Sequence, residues 1–397
     1  MRWVRQRRPG RLPRGQPLVT MSATDCIIPE IGSSDFFDQL AARPAGSDGL
    51  PLGGSLELTL RCNLRCRHCY IHSSSDPAEP LPLAHTRGHK AAVATRDEMD
   101  TKTVCRVLDQ LADAGVLNLL LTGGEIFVRR DFKEIYLHAR RRGFLLTLFT
   151  NATRVNEELA DFLAAHAPRR IEISLYGHSA GTYEAVTGLK GSFTAFRNGL
   201  EHLLRRKLPV YLKAMLLRSN AHEFSAMKAW AESLNRPFRF DAVVNTRLDG
   251  GRHPFAERLP AGEVARWQHE AAGGKSRPSE WPQKVEGREA DTRLFRCGAG
   301  RMTFHLDPRG YMHPCLMWRN DPYDLLEGSI PGWHKHLEGI LSRQAPAESR
   351  CSTCKDRLIC ASCAATSAQE TGKPGLHVEY FCDICRARVD RASNTPA

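Results

Sequence analysis

Three cysteines near the start of the sequence have a spacing that suits chemistry at a metal cluster. Cys62, Cys66 and Cys69 stand in the run RCNLRCRHCY, directly after a short alternating apolar stretch. Three thiolates on one tight loop can hold three irons of a four-iron cluster and leave the fourth iron free to bind a small molecule. Short cysteine spacings also hold zinc, so a zinc knuckle is the alternative on spacing alone.

A second group of cysteines lies further along the chain and provides another set of potential metal ligands. Its members are Cys297, Cys315, Cys351, Cys354, Cys360, Cys363, Cys382 and Cys385. The run from Asp307 to Gly310 predicts a hairpin turn that brings Cys297 and Cys315 onto neighbouring strands. Three C-x2-C pairs also suit zinc, so a pair of zinc sites is the alternative to iron and sulfur.

The composition of the 397-residue chain is that of a globular protein of about two domains. No apolar run approaches the roughly 20 residues that span a bilayer, and no signal peptide is recognisable. We therefore expect a cytoplasmic protein with reduced thiols and no membrane partner. The net charge of +12 includes six arginines within residues 1–20, so nucleic acid is not an expected partner. Residues 1–50 are expected to form a basic, disordered extension.

Strand-like and helix-like patterns alternate between residues 55 and 244. The predicted strands are 55–59, 116–121, 144–149, 170–175, 210–216 and 238–244, and the predicted helices are 97–114, 131–143, 156–165, one after Ser192 and one after Asn220. Six such units predict a parallel sheet with right-handed crossovers. Residues that can do chemistry follow successive strands, at the carboxyl edge where α/β barrels place their active sites.

Polar motifs at this edge offer contacts to a ligand. Gly123 and Gly124 permit a close approach of the backbone, and the carboxylate of Glu125 can pair with an ammonium group. Ser174 ends the fourth strand with a hydroxyl, and Asn151 ends the third. A plain turn is the alternative for the glycine pair taken alone, and Asn before a helix is commonly a cap.

In their spacing and order, these motifs resemble the radical S-adenosylmethionine (SAM) enzymes. The resemblance implies a partial (β/α)6 TIM-like barrel over residues 51–246, in which Cys62, Cys66 and Cys69 hold a [4Fe-4S] cluster that binds SAM. An electron from that cluster would cleave SAM to methionine and a 5′-deoxyadenosyl radical, and the radical would remove hydrogen from a substrate.

The resemblance also assigns cofactor-binding roles beyond the cysteines. The assigned residues are His68, Tyr70, Gly123, Gly124, Glu125, Asn151 and Ser174. Glu125 and the two glycines would bind the SAM amino group, and Ser174 would lie near the SAM carboxylate and ribose. His68 and Tyr70 would line the adenine pocket, with a packing role as the alternative for both. The sequence assigns no catalytic acid or base.

The C-terminal cysteines resemble the SPASM extension of these enzymes, which binds two auxiliary [4Fe-4S] clusters. The resemblance implies a small cysteine-rich α+β iron–sulfur domain over residues 293–397, joined to the barrel by a linker over residues 247–292. The implied ligands are Cys297, Cys315 and Cys363 for the inner cluster, and Cys351, Cys354, Cys360 and Cys382 for the outer one. Two residues, instead of the usual three, separate Cys360 from Cys363. The fourth inner ligand is therefore open: Cys385, a group such as His313, or none.

The resemblance implies an oxidoreductase that acts on a peptide or protein and receives electrons from a reductant such as flavodoxin or ferredoxin. Sulfatase-maturing members typically carry an acidic residue where this chain has Leu316. We therefore expect a ribosomal-peptide maturase that forms a crosslink. Sulfatase-type maturation, modification of another protein or of a small molecule, and a non-catalytic iron–sulfur or zinc scaffold are the alternatives. The Gly-Gly-Glu motif and Ser174 argue against a scaffold, which needs no SAM pocket.

Overall fold

The computed structural model describes residues 51–71, 97–271, 292–357 and 359–393, and the expected extension over residues 1–50 lies outside them. The strands are β1 (Gly53–Glu57), β2 (Asn118–Thr122), β3 (Leu145–Thr150), β4 (Arg170–Ser174), β5 (Val210–Met215), β6 (Phe238–Asp241), β7 (His305–Leu306), β8 (Tyr311–His313) and β9 (Tyr323–Asp324). The helices are α1 (Thr101–Asp113), α2 (Phe132–Arg141), α3 (Glu157–Ala165), α4 (Ala180–Thr187), α5 (Ser192–Arg205), α6 (Phe224–Ser233), α7 (Ala261–Ala271), α8 (Ile330–Leu341), α9 (Ala364–Thr371) and α10 (Glu379–Ser393).

The sheet carries the expected parallel order and then continues beyond it. Strands β1 to β6 pair in chain order, all parallel. The free edge of β1 pairs with β7 in parallel, and β8 and β9 follow in antiparallel order. The predicted α/β fold is confirmed. The C-terminal part differs from a separate module, because its hairpin extends the same sheet as the barrel strands.

Side chains along β1 and the residues just after it point alternately to two faces of the sheet, and one of these faces packs in the main hydrophobic core. Leu56 and Leu58 belong to the main hydrophobic core and are almost completely buried. Ser55 and Glu57 point the opposite way, since successive side chains of a strand alternate between faces. Helix α1 begins at its predicted cap, where Asp100 accepts a hydrogen bond from the backbone of the first turn.

One helix of the barrel was not predicted, and it contacts the cysteine loop. The interval between β4 and β5 holds two helices, α4 and α5, where the sequence pattern indicated one after Ser192. Helix α4 has only eight residues, begins after Ser179 and ends at Gly188, whose φ is +67°. A short helix that contains a glycine gives a weak periodic signal, although both caps are recognisable.

Part of the predicted linker joins the barrel to the C-terminal region through specific contacts. The Arg258 guanidinium pairs with the Glu370 carboxylate at 2.6 Å, and both side chains are largely buried. The Tyr380 hydroxyl donates a hydrogen bond to the carbonyl of Leu259 at 3.0 Å. Residues 272–291 of the linker lie outside the described residues. None of the described helices has the length and apolar character needed to cross a bilayer.

Candidate active site

The loop after β1 holds the three N-terminal cysteines on one wall of a cavity. Cys62 Sγ accepts a hydrogen bond from the Leu64 amide, and Cys69 Sγ accepts one from the Ile71 amide, each at 3.4 Å. The Cys69 amide donates to the Cys66 carbonyl at 3.0 Å and closes the turn between them. Amides directed at sulfur stabilise thiolates, the form that binds iron.

Burial keeps these thiols protonated until a metal replaces the protons. It raises the pKa of Cys62 to about 12, with the Glu125 carboxylate as the next cause. Burial also raises the pKa of the Cys66 thiol well above its usual range, and the neighbouring cysteines add to this shift. The positive charge of bound iron would reverse this preference.

Helix α4 fixes the cysteine loop in place. The amides of Arg65 and Arg67 donate to the carbonyls of Thr187 and Val186, at 2.9 Å and 3.0 Å. Gly188 follows in the left-handed region, and a Cβ atom there would lie 2.8 Å from the Arg65 carbonyl oxygen. The loop therefore takes part of its conformation from a helix more than a hundred residues later in the chain.

The two glycines after β2 allow close packing against the cysteine loop as well as against the cavity. The Gly124 amide donates to the Thr59 carbonyl at 2.8 Å, and the Glu125 amide donates to the Arg61 carbonyl at 2.9 Å. A Cβ atom on Gly123 would lie 2.4 Å from the Thr59 oxygen, and one on Gly124 would lie 2.4 Å from the Arg61 oxygen. Both glycines also line the cavity.

Glu125 occupies a position that differs from the sequence-based expectation. Its carboxylate accepts hydrogen bonds from Thr150 Oγ1 (2.8 Å), the Asn151 amide (2.7 Å) and the Phe127 amide (3.1 Å). The residue is 1% exposed and is absent from the cavity wall. Burial raises its pKa to about 7. The carboxylate thus joins the ends of β2 and β3, and its pairing with a SAM amino group remains a prediction.

Asn151 connects the end of β3 to the cysteine loop. Its Nδ2 donates to Asn63 Oδ1 at 3.2 Å and lies 3.9 Å from Cys62 Sγ. Its Oδ1 accepts a hydrogen bond from the Thr153 amide at 2.9 Å. The side chain therefore caps the local turn, as its residue type suggests, and also borders the first cysteine.

One cavity of about 260 Å³ brings the barrel predictions together. Its walls include Cys62, Cys66, His68, Cys69, Tyr70, Gly123, Gly124, Asn151 and Ser174. Of the sequence-predicted residues of the barrel, Glu125 alone is missing from this wall. Leu316, next to the C-terminal Cys315, also lines the cavity, so the cysteine-rich region reaches the barrel interior.

Aromatic side chains form the wall beside Cys66. The His68 ring packs edge-on against Tyr176, with ring centroids 4.9 Å apart. Burial lowers the pKa of His68 to about 4, so its imidazole is neutral at physiological pH. Burial likewise raises the pKa of the Tyr70 phenol, which keeps that group protonated. These rings give the cavity an apolar side that suits a flat base.

The sequence motifs missed two charged residues of the cavity. Lys213 lies on β5 with its ammonium 4.9 Å from the centroid of the Phe149 ring, and burial lowers its pKa. Glu172 lies on β4 and accepts hydrogen bonds from Arg170 (3.5 Å) and Arg239. Buried apolar residues alternate with less buried ones along β5. Lys213 occupies one of the less buried positions, and this charged residue within an apolar strand was the signal that could have placed it in the cavity.

The inner C-terminal cysteines lie close to one another. Burial, with smaller contributions from the neighbouring Cys363 and Cys297, raises the pKa of the Cys315 thiol to about 11. Cys363 caps the start of α9, where its amide donates to Thr366 Oγ1 at 3.1 Å. The predicted hairpin lies between Cys297 and Cys315, with Gly310 at φ +92° in its turn.

The outer cysteines line a second cavity, of about 440 Å³. Its sulfur-bearing residues are Cys351, Cys354, Cys360, Cys382 and Cys385. A hydrogen bond from the Cys385 thiol lowers the pKa of Cys360 to about 6. Arg296 also lines this cavity, and its guanidinium donates to the Cys351 carbonyl at 2.9 Å.

Both named candidates for a fourth inner ligand have other partners in this structure. Cys385 lines the outer cavity and contacts Cys360. His313 is buried, and its Nε2 lies 3.4 Å from Asp307 Oδ2. The identity of a fourth inner ligand therefore stays a prediction.

Comparison with known proteins gives a family match over the barrel. Residues 56–231 match the model of the Radical SAM superfamily. This part of the chain is a radical SAM domain. The match begins on β1 and ends within α6, so it includes the cysteine loop, the glycine pair and Ser174. The resemblance inferred from the motifs is confirmed.

Two relatives of the radical SAM chain are named for peptide substrates or maturation. A PqqA peptide cyclase of Xanthomonas euvesicatoria pv. vesicatoria is 32% identical over 214 residues, which cover 54% of this chain and 52% of the relative. The sporulation killing factor maturation protein SkfB of Bacillus subtilis is 24% identical over 289 residues, which cover 68% of this chain and 61% of the relative. The chain thus spans about half the length of the PqqA peptide cyclase that it matches.

Solved structures share the radical SAM fold well beyond the family match. Streptococcus suis SuiB bound to the precursor peptide SuiA has a TM-score of 0.62 at 14% identity, covering 84% of this chain and 76% of SuiB. The enzyme anSMEcpe with bound AdoMet has a TM-score of 0.57 at 15% identity, covering 86% of this chain and 93% of that protein. At sequence identities this low, the similarity shows a shared fold and nothing about substrates.

The residues of the radical SAM domain fit an open-iron cluster with SAM. Three thiols line one wall, and the opposite walls supply polar groups together with aromatic and aliphatic surface. Within the described ranges, no group of three or more His, Cys, Asp or Glu side chains converges to hold a single metal ion.

Iron analysis tests both cysteine regions. After anaerobic reconstitution we expect about twelve irons per chain, from three four-iron clusters. Replacing Cys62, Cys66 and Cys69 by alanine should leave roughly two-thirds of this iron, because the other two ligand sets are unchanged. Iron and sulfide assays with zinc measured in parallel provide the check. Stoichiometric zinc with little iron would contradict the proposed C-terminal clusters.

Proposed function

We propose that this chain is a radical SAM oxidoreductase that installs an oxidative crosslink in a peptide. One observation carries the proposal: a single cavity joins the three cysteines of the loop to Ser174, to the glycine pair and to Leu316. Leu316 lies next to Cys315 of the C-terminal set, so the proposed SAM pocket lies beside the residues that would hold an auxiliary cluster.

Different groups of residues would bind the cluster, bind SAM and exclude water. Cys62, Cys66 and Cys69 would hold the SAM-binding cluster, which supplies the electron that generates the deoxyadenosyl radical. Ser174 and Asn151 offer a hydroxyl and an amide to the polar groups of SAM, and the aromatic wall beside Cys66 suits adenine. The buried setting would keep water away from the reactive species.

A peptide substrate is supported by the named relatives and by the shape of the fold. PqqA peptide cyclase is named for a peptide substrate, SkfB is named as a maturation protein, and SuiB has been solved with a precursor peptide. In this chain the cavity also reaches residues after β6, Val243 to Asn245, which together with Leu316 would contact the substrate. A flavodoxin or ferredoxin is proposed as the reductant.

Sulfatase-type maturation is the second candidate, and the cavity disfavours it. The side chain at the position after Cys315 lines the cavity, but it is Leu316, which accepts no proton. The base expected for that branch of the family is therefore missing from its usual position, and the crosslinking reaction remains the proposal.

Loss of an outer cysteine should separate SAM cleavage from product formation. In Cys354→Ala we expect SAM cleavage to persist and crosslinked peptide to decrease by at least about tenfold, since the loop that binds SAM is unchanged while electron removal is impaired. Measuring 5′-deoxyadenosine and peptide product in the same reaction provides the check. Cys105→Ala, on α1 and away from either cavity, is the matched control. A parallel decrease of both products would contradict the assignment.

A further inference from the structure

A buried polar cluster lies between β1 of the barrel and β7 of the C-terminal hairpin. Ser55 is the register partner of His305, and Glu57 follows on the same face of β1. His305 and Glu57 are both 0% exposed, whereas Ser55 lines the SAM cavity. The cluster therefore begins at the cavity wall and extends into the protein interior.

The three side chains form a sequence of close contacts. Ser55 Oγ lies 2.8 Å from His305 Nδ1, within hydrogen-bonding distance. His305 Nε2 lies 3.5 Å from Glu57 Oε2, which also accepts a hydrogen bond from Arg319 Nη2 at 3.1 Å. A serine, an imidazole and a carboxylate in this order form the arrangement that moves a proton from a hydroxyl toward a buried base.

The cluster retains unused hydrogen-bonding capacity. Among the described residues, Glu57 Oε1, His305 Nε2, and the Nε and Nη1 atoms of Arg319 have no hydrogen-bond partner although they are buried. Leaving such groups unpaired costs about 1–3 kcal/mol each, more for charged groups. These unpaired atoms lie behind a cavity-lining hydroxyl, where they can take part in hydrogen bonds that change during a reaction.

The other ionisable side chains of the cavity are paired or already hold their protons. Glu172 is paired with Arg170 and Arg239, and Lys213 is a cation. Tyr70 and Tyr176 are held in their protonated forms, because burial raises the pKa of each phenol. His68 is neutral but belongs to the cysteine loop, on the side expected to hold SAM. Ser55 instead lies beside the C-terminal strand β7.

We propose that Ser55, His305 and Glu57 relay away the proton that the peptide loses during oxidation. The proposal rests on the proposed function. For each bond formed, the peptide gives one hydrogen atom to the deoxyadenosyl radical, one electron to an oxidised C-terminal iron–sulfur cluster, and one proton. Ser55 accepts that proton while its own passes to His305 Nδ1. His305 Nε2–H faces the Glu57 carboxylate, which stabilises the resulting imidazolium.

The tautomer of His305 follows from its two neighbours. The relay requires Ser55 to donate to Nδ1, which leaves the ring hydrogen on Nε2, facing Glu57. The carbonyl oxygen of Phe304, 3.4 Å from Ser55 Oγ, is the other acceptor within reach of that hydroxyl. Burial lowers the pKa of His305 well below its usual range, with the nearby Arg319 as the next cause, so the resting imidazole is neutral and holds an extra proton only transiently. Arg319 holds the carboxylate in the orientation that this transfer requires.

An isosteric pair of variants at Ser55 tests the relay. Ser55→Val and Ser55→Thr add the same bulk to the strand, but only the threonine keeps a hydroxyl. Each full-length, anaerobically reconstituted protein is given SAM, dithionite and a precursor peptide identified by searching the genes around its own, in D2O. Iron content and the visible spectrum establish that the clusters are intact. His305→Gln is a second variant, which breaks the relay one step deeper.

The relay predicts uncoupled chemistry in Ser55→Val and His305→Gln. Formation of 5′-deoxyadenosine should stay within about twofold of the wild type, while product per deoxyadenosine should decrease by about 100-fold, the scale of general-base catalysis. Substrate radicals that cannot lose a proton should be reduced by dithionite and take up a deuteron. Recovered peptide should therefore gain one deuterium in place of hydrogen. Ser55→Thr should behave as the wild type.

Two different failures can be told apart. If the wild type forms product and Ser55→Val forms as much product per deoxyadenosine, the relay is wrong and the proposed function stands. If deoxyadenosine and product decrease in parallel in both Ser55→Val and His305→Gln, these residues position the ligand and the relay is also wrong. If the wild type cleaves SAM but never oxidises the peptide, the proposed function fails and the relay fails with it.

Discussion

Simultaneous replacement of Cys62, Cys66 and Cys69 by alanine is expected to abolish SAM cleavage. These three thiols line the cavity, and no other cysteine within the described ranges does so. Without them there is no cluster to chelate SAM or to deliver the electron that breaks its sulfonium bond. The rate of 5′-deoxyadenosine formation, measured with dithionite under anaerobic conditions, should fall to that of a reaction without enzyme.

A matched cysteine provides the control for this effect. Cys105 is half-buried on α1 and lines neither cavity, so Cys105→Ala should cleave SAM at the wild-type rate. The triple variant should also retain its C-terminal iron, which distinguishes loss of one cluster from misfolding. Wild-type deoxyadenosine formation by the triple variant would show that the cysteine loop is not the SAM-cleaving site.

Substitution of Gly123 by alanine is expected to produce the second large effect. Its φ is +151°, and a new Cβ atom would lie 2.4 Å from the Thr59 carbonyl oxygen, a backbone atom that cannot rotate away. Either the end of β2 or the cysteine loop must then move. We expect the free energy of unfolding to decrease by at least about 2 kcal/mol, with most SAM cleavage lost.

The variant Gly143→Ala distinguishes the cost of a strained backbone from the cost of a steric clash. The φ of Gly143 is +88°, yet nothing lies within 4 Å of an added Cβ atom. Gly143→Ala should therefore cost only about 1 kcal/mol and retain SAM cleavage. Urea unfolding of both variants, followed by circular dichroism, provides the comparison. Equal destabilisation by the two substitutions would mean that packing against the cysteine loop is not the reason for glycine at position 123.

Local patterns were sufficient to predict the barrel and most of its site. Alternating apolar residues on β1 and β5, and polar motifs just after β2, β3 and β4, depend on neighbours within a few positions. Because parallel strands end at a common edge, those motifs had to converge. Cys62, Gly123 and Ser174 accordingly lie around one cavity.

Contacts between distant segments could not be predicted in the same way. The hydrogen bonds from Thr150 and Asn151 to the Glu125 carboxylate depend on how the ends of β2 and β3 are aligned in the assembled sheet. The pairing of His305 with Ser55 joins residues 250 positions apart, and no local pattern encodes it. Lys213 belongs to no motif, so its place in the cavity followed only from the assembled sheet.

The mass of the peptide product tests the central proposal most directly. The reconstituted chain should be incubated with SAM, reductant and a short precursor peptide identified by searching the genes around its own. The peptide is then analysed by high-resolution mass spectrometry. Oxidative crosslinking predicts a product lighter than its precursor by two hydrogens per modification, with one 5′-deoxyadenosine formed for each. A gain of a methyl group, or an altered peptide of unchanged mass, would contradict the oxidative mechanism.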